Sequence, residues 1–140
     1  PTGEVLTALL LSYLEYYAVR LNPEMILVPI PLHRDRERER GFNQCALIGS
    51  MLAERLGLQY DGHILARVKR TLPQYGLTVD ERIQNMYTAF TIGKNDTIVV
   101  ERKEILLFDD VKTSGATLNE AARVLKQAGA RRVYALTIAR

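Results

Sequence analysis

Glu104-Ile105-Leu106-Leu107-Phe108, running straight into Asp109-Asp110-Val111-Lys112-Thr113-Ser114-Gly115-Ala116-Thr117, is the stretch whose reading decides the fold. Its first part is short, almost wholly apolar and followed by a polar turn, as suits a buried strand. Beyond the turn, Leu118, Ala121, Ala122, Leu125 and Ala128 recur at helical spacing, so the sequence predicts a helix from Leu118 to Ala128, closed by Gly129. Val133 to Ala139 reads as a final strand. Strand, polar turn, helix and strand make a parallel unit, and repeated units of this kind build a layered α/β fold whose ligands sit at the carboxyl ends of the strands.

Chemistry concentrates in the turn. Thr113, Ser114 and Thr117 supply hydroxyls, Gly115 lets a backbone approach closely, and the helix behind offers N–H groups and a positive dipole end; together these form a phosphate cradle. Asp109 and Asp110 do a different job. Neighbouring side chains of an extended segment diverge, so at least one of the two should face a ligand, where it can accept hydrogen bonds from sugar hydroxyls or orient a hydrated Mg²⁺. The Gly-x-x-x-x-Gly-Lys-Ser/Thr and Gly-x-Gly-x-x-Gly spacings are both missing, which excludes a P-loop and a dinucleotide fold. A phosphorelay receiver needs several more βα units after its acidic pair than the one helix and one strand that remain.

Working outward, residues from about Glu4 to Arg20 read as an amphipathic helix, with Leu6, Leu9, Leu10, Tyr13, Leu14 and Tyr17 on its apolar stripe. Met25 to Ile30 is a buried strand bounded by prolines. Asn43 caps a second helix carrying Leu47, Ile48, Met51, Leu52 and Leu56, which Gly57 ends with a left-handed cap. Ile64 to Val68 and Tyr87 to Ile92 are further strands, separated by a polar stretch containing Pro73 and Gly76 that reads as a mobile loop.

The chain has 140 residues, 47% hydrophobic and 25% charged, the composition of one ordinary globular domain rather than of a disordered or fibrous chain. Nineteen Lys and Arg against 16 Asp and Glu leave a net charge of +3, which permits an anionic ligand without demanding nucleic acid. Cys45 is the only cysteine, so no internal disulfide forms, and the sequence is compatible with a reducing cytoplasm. No stretch is apolar enough for membrane insertion.

With these residues in view, Ile105 to Thr117 resembles the phosphoribosyl pyrophosphate (PRPP) signature of type I phosphoribosyltransferases. Val28-Pro29-Ile30-Pro31-Leu32-His33-Arg34, Arg40-Gly41-Phe42-Asn43-Gln44, then Gln74, Glu81-Arg82 and Asn85 ahead of Ala89-Phe90, and Gly129-Ala130-Arg131-Arg132-Val133 narrow the resemblance to the competence-associated ComF family. The match covers about Met25 to Arg140. The amino-terminal four-cysteine zinc module common in that family has no counterpart in this sequence.

The resemblance implies a single phosphoribosyltransferase-like domain over residues 1–140, with a central, mainly parallel sheet flanked by helices. It implies a PRPP site formed by Asp109, Asp110, Val111, Lys112, Thr113, Ser114, Gly115, Ala116 and Thr117, with the acidic pair on the ribose hydroxyls and the following loop on the 5′-phosphate. Pro31, Leu32, His33 and Arg34 stand where the family binds pyrophosphate, in a loop where a strained peptide, cis or trans, is usual; Arg40 and Asn43 are ligands or supports of that loop. His33 is either part of this charge or an ordinary surface histidine. Arg67, Lys69, Arg70, Gln74 and Arg82 belong to a flexible loop that closes over the substrate to exclude water. Mg²⁺ is the implied cofactor, held mainly by PRPP rather than by direct protein ligands. The acceptor is not identifiable, because Tyr13, Tyr16 and Tyr17 at helical spacing read as core and helix surface rather than as a stacking platform. Implied partners are PRPP, weakly and sequence-independently bound single-stranded DNA, other competence proteins and further copies of the chain, in the cytoplasm.

Overall fold

The computed structural model describes residues 2–17, 19–33, 37–39, 41, 43–68, 76–87, 89–93, 95–111 and 115–139; the side chains at 2, 85, 86, 110, 111 and 139 also lie outside the description. Its elements are α1 (Thr2–Tyr16), β1 (Ile26–Pro29), α2 (Gln44–Leu56), β2 (Gln59–Tyr60), β3 (Leu65–Arg67), α3 (Val79–Met86), β4 (Phe90–Ile92), α4 (Asp96–Val100), β5 (Glu104–Val111), α5 (Ala116–Gln127) and β6 (Arg132–Ala139). Four strands form a parallel sheet in the order β2-β1-β5-β6, and β3 pairs antiparallel with β4 beside it.

Alternation along the two central strands builds the two halves of the core. Ile26 pairs with Ile105 and Val28 with Leu107, and these side chains point towards Leu118, Ala121 and Leu125 of α5 and towards Leu65 and Phe90 of the β3–β4 pair. Leu27 pairs with Leu106, and these two point the other way with Phe108, against Leu10 of α1 and Cys45, Ile48 and Leu52 of α2. Both faces are covered, which is why these strands are apolar throughout rather than alternating. Gly49 permits the close seating of α2: a Cβ there would lie 3.1 Å from Leu27 and 3.5 Å from Phe108.

The crossovers decide where a ligand can sit. β1 passes through α2 to β2 on one side of the sheet, while β5 passes through α5 to β6 on the other, and the two helices cover opposite faces. The chain therefore diverges in opposite directions from the adjacent strands β1 and β5. At such a switch point the connections separate and leave a crevice outside the carboxyl ends of the strands.

The layered α/β fold is the one the sequence predicts, with differences in the elements. Asn43 and Gly57 cap α2 as expected, Gly57 at φ 71°. The first helix ends at Tyr16 rather than Arg20, and its buried side is Leu10 and Leu14 with Leu6 half-buried; Leu9, Tyr13 and Tyr17 face solvent. The strand expected from Tyr87 begins only at Phe90, and the preceding polar stretch contains α3, held by a capping box in which Thr78 Oγ1 accepts from Glu81 N–H and Glu81 accepts from Thr78 N–H. The capping box acts together with Val79, Ile83 and Met86, which recur at helical spacing along the segment. The short β2 and α4 are not evident in the sequence, and α5 begins at Ala116 instead of Leu118.

Candidate functional site

At the switch point, β1 is followed by Ile30, Pro31, Leu32 and His33, and β5 ends in Asp109, Asp110 and Val111. Ile30 N–H donates to Phe108 O at 2.9 Å, so the root of the first loop and the acidic pair stand side by side. The acids were expected in a turn after Phe108. Instead β5 continues through both, because β6 pairs with it at Asp109↔Thr137 and Val111↔Ala139. Asp109 is buried, and its Oδ1 accepts a hydrogen bond from the Cys45 thiol at 3.5 Å.

The third arm is the start of α5. Gly115 takes φ 83° at the N-cap, a left-handed conformation that glycine adopts without a Cβ clash, and having no side chain it leaves the first-turn N–H groups to other acceptors. Ala116 is buried and Thr117 half-buried in that turn. Lys112, Thr113 and Ser114 lie outside the described residues, as do the side chains of Asp110 and Val111.

The loop after β1 opens on a cleft of 610 Å³ lined by His33, Glu37, Arg38, His63 and Arg67 among others. His33 forms an isolated parallel bridge with Arg67 of β3, and the Arg67 guanidinium lies 5.0 Å from the centroid of the Phe90 ring. No cis peptide bond is found among the described residues, and at His33 the loop backbone enters strand-like pairing. His63 is a residue that sequence reasoning passed over. It follows a turn in which Asp61 Oδ1 accepts from His63 N–H at 2.8 Å, and only tertiary packing brings both histidines of the chain to one cleft. Arg82 sits half-buried on α3, whereas Arg34, Arg40, Lys69, Arg70 and Gln74 lie outside the described residues.

Asn43 proves to be a support rather than part of the cleft lining. Its Oδ1 accepts from Cys45 N–H at 3.0 Å and Ala46 N–H at 3.4 Å, capping α2, while its Nδ2 donates to Ile30 O at 3.3 Å. Tyr60 OH donates to Ala46 O at 3.1 Å; burial, reinforced by the Asp61 carboxylate, raises its pKa above the ordinary value and keeps this donor protonated. The first turn of α2 thus touches the ends of β1, β2 and β5. At the opposite end of the sheet Glu104 accepts from Asn22, Tyr134 and Arg131, an anchor remote from the site. The tyrosines at the end of α1 and just beyond it are exposed and pack on one another, Tyr13 and Tyr17 with ring centroids 4.8 Å apart, away from this crevice.

A doubly wound parallel sheet with an acidic strand end, a glycine-led helix start and a basic cleft at its switch point defines a class of α/β domains that hold phosphorylated ligands across that point. Within it, this chain belongs to the phosphoribosyl transferase domain family, whose model matches residues 43–140. Among its relatives are competence protein F of Haemophilus influenzae, 34% identical over 93% of this chain and 59% of the relative, and competence protein ComFC of Bacillus subtilis, 38% identical over 77% of this chain and 41% of the relative. The ComF resemblance is thereby confirmed in its relatives. The chain spans about half the length of the curated relatives it matches. In fold it is similar to the glutamine PRPP amidotransferase of B. subtilis, with a TM-score of 0.56 and 17% identity over 97% of this chain and 25% of that one. No helix among the described residues is long and apolar enough to cross a membrane.

Proposed function

We propose that the protein binds PRPP in the crevice between β1 and β5 and transfers its phosphoribosyl group to an acceptor in a Mg²⁺-dependent reaction. The observation that carries this reading is the convergence of three unlike arms at one topological switch point: the loop 31–33, the acidic end of β5 and the glycine-led start of α5. Asp109 and Asp110 accept hydrogen bonds from the ribose hydroxyls. The segment from Thr113 to Thr117 holds the 5′-phosphate at the positive end of α5. The loop 31–33 and the cleft of His33, Arg38, His63 and Arg67 receive the diphosphate.

Among the described residues of this crevice nothing resembles an activated nucleophile, so catalysis consists of positioning and electrostatic stabilisation. The acceptor's lone pair forms a bond to the anomeric carbon as the bond from that carbon to the diphosphate oxygen breaks, and the diphosphate leaves with the electron pair. The described donors here, the carboxylates of Asp109 and Glu37 and the imidazoles of His33 and His63, form no group of three placed to hold a metal ion, which suits an ion that arrives on the diphosphate better than a resident one. Bound there, Mg²⁺ would neutralise leaving-group charge.

The test is calorimetry with PRPP and Mg²⁺ on the wild type and on Asp109→Asn/Asp110→Asn. Charge-assisted hydrogen bonds contribute about 1.5–3 kcal/mol each, so affinity should fall at least about tenfold. Undiminished affinity in the double variant refutes the assigned role.

A second reading is favoured by the relatives' names, which include "Competence protein F" and, for the Escherichia coli relative, "DNA utilization protein YhgH". Here the same pocket senses PRPP with little or no turnover while the cationic cleft tracks the phosphates of single-stranded DNA. Release of pyrophosphate from PRPP with candidate acceptors supports the transferase. Salt-sensitive, sequence-independent DNA binding that PRPP weakens supports the second reading.

A further inference from the structure

We propose that Cys45 is a positioning residue of the phosphoribosyl site: its thiol, held by the first turn of α2, fixes the orientation in which Asp109 presents its carboxylate to the ligand. The inference rests on the PRPP reading given above. Sequence position alone makes Cys45 a small core filler on a helix. In the structure its backbone N–H is bound by the Asn43 cap at 3.0 Å, and its Sγ donates to Asp109 Oδ1 at 3.5 Å, with both residues buried.

Three facts give this contact more than a packing role. Asp109 is one of only three buried polar or charged residues among the described ones, and a buried carboxylate is stable only where donors meet it. The donor comes from a helix start, whose partial positive charge favours the anion. The same turn is tied to the loop root through Asn43 Nδ2 and Ile30 O at 3.3 Å, so one rigid turn sets both arms of the crevice at once. The thiol contact at Oδ1 fixes the rotation of the carboxylate that the PRPP reading assigns to a ribose hydroxyl.

Cys45→Ala removes the donor while keeping a small apolar residue, and Cys45→Ser restores a stronger donor on a shorter side chain, which Asp109, near the end of β5, meets by a shift of about 1 Å. PRPP affinity measured by calorimetry with Mg²⁺ should fall roughly fivefold in Cys45→Ala and recover to within about twofold of wild type in Cys45→Ser. Thermal melting of both variants establishes that they are folded. A ligand-free measurement stands beside these: the infrared S–H stretch of Cys45 should lie at lower frequency in the wild type than in Asp109→Asn, whose neutral amide oxygen is the weaker acceptor. Equal PRPP affinity in folded Cys45→Ala and wild type, or an S–H stretch that Asp109→Asn leaves unmoved, overturns the positioning role while leaving PRPP binding intact. Wild-type protein that binds no PRPP overturns the functional reading, and this role with it.

Discussion

Replacing Asn43 by alanine removes two jobs at once, and the structure says what each contributes. Its Oδ1 satisfies the N–H groups of Cys45 and Ala46 at the start of α2, a cap whose loss costs about 1 kcal/mol. Its Nδ2 reaches Ile30 O at 3.3 Å, a long bond to a buried residue; taking the middle of the usual range, its loss costs about 1 kcal/mol more. The sum of about 2 kcal/mol should lower the melting temperature by roughly 8 °C for a domain of this size. Asn43→Ser keeps an acceptor for the cap and lacks the long donor, so it should lose only about half as much. Chemical denaturation with linear extrapolation, on wild type and both variants, separates the two contributions provided that the slope is unchanged. A loss below about 0.5 kcal/mol in Asn43→Ala, or equal losses in the two variants, would refute the account of Asn43 as the tie between the loop root and α2.

Gly49→Val should be destabilising by roughly 2–3 kcal/mol in the same assay, because Leu27 and Phe108 are fully buried where the new side chain must go; Ser50→Val on the exposed side of the same helix should be close to neutral. Glu81 is held below the ordinary glutamate pKa by the Thr78 backbone N–H it accepts, and next by the Thr78 side chain. A depressed folded pKa means that its contribution is present above the ordinary value of about 4.3 and is lost as pH falls through the lower folded value, so amide exchange in α3 should accelerate over that acid window. Glu81→Gln should remove this acid dependence. Glu104 is lowered chiefly by the Asn22 side chain; Asn22→Ala should move its titration, followed by carboxyl NMR, back up towards the ordinary range.

Periodicity and capping chemistry are local, and what they govern could be read from the chain. The apolar runs at Met25–Ile30 and Glu104–Phe108, the cap at Asn43 and the left-handed Gly57 each depend on neighbours within one turn or strand, so both central strands and α2 were legible. So was the acidic pair, whose adjacency to a hydroxyl-glycine run carries the expectation of a phosphate and sugar site without reference to the rest of the molecule. α3 escaped although both the Thr78-x-x-Glu81 capping box and Val79, Ile83 and Met86 at helical spacing were there to be noticed, because Pro73 and Gly76 drew the whole stretch into a loop reading. The residues that only packing could assemble are those separated by whole elements. Strand order put β1 beside β5, which made their carboxyl ends a switch point; pairing with β6 extended β5 through Asp109. Folding of α2 over that edge set the Cys45 thiol against Asp109, 64 residues away, and the β2–β3 turn brought His63 into the cleft of His33. Sequence specifies the chemistry available at each position through short-range sterics and hydrogen bonding. Which chemistries meet is set by how buried faces pair across the sheet, a long-range choice that no local window contains.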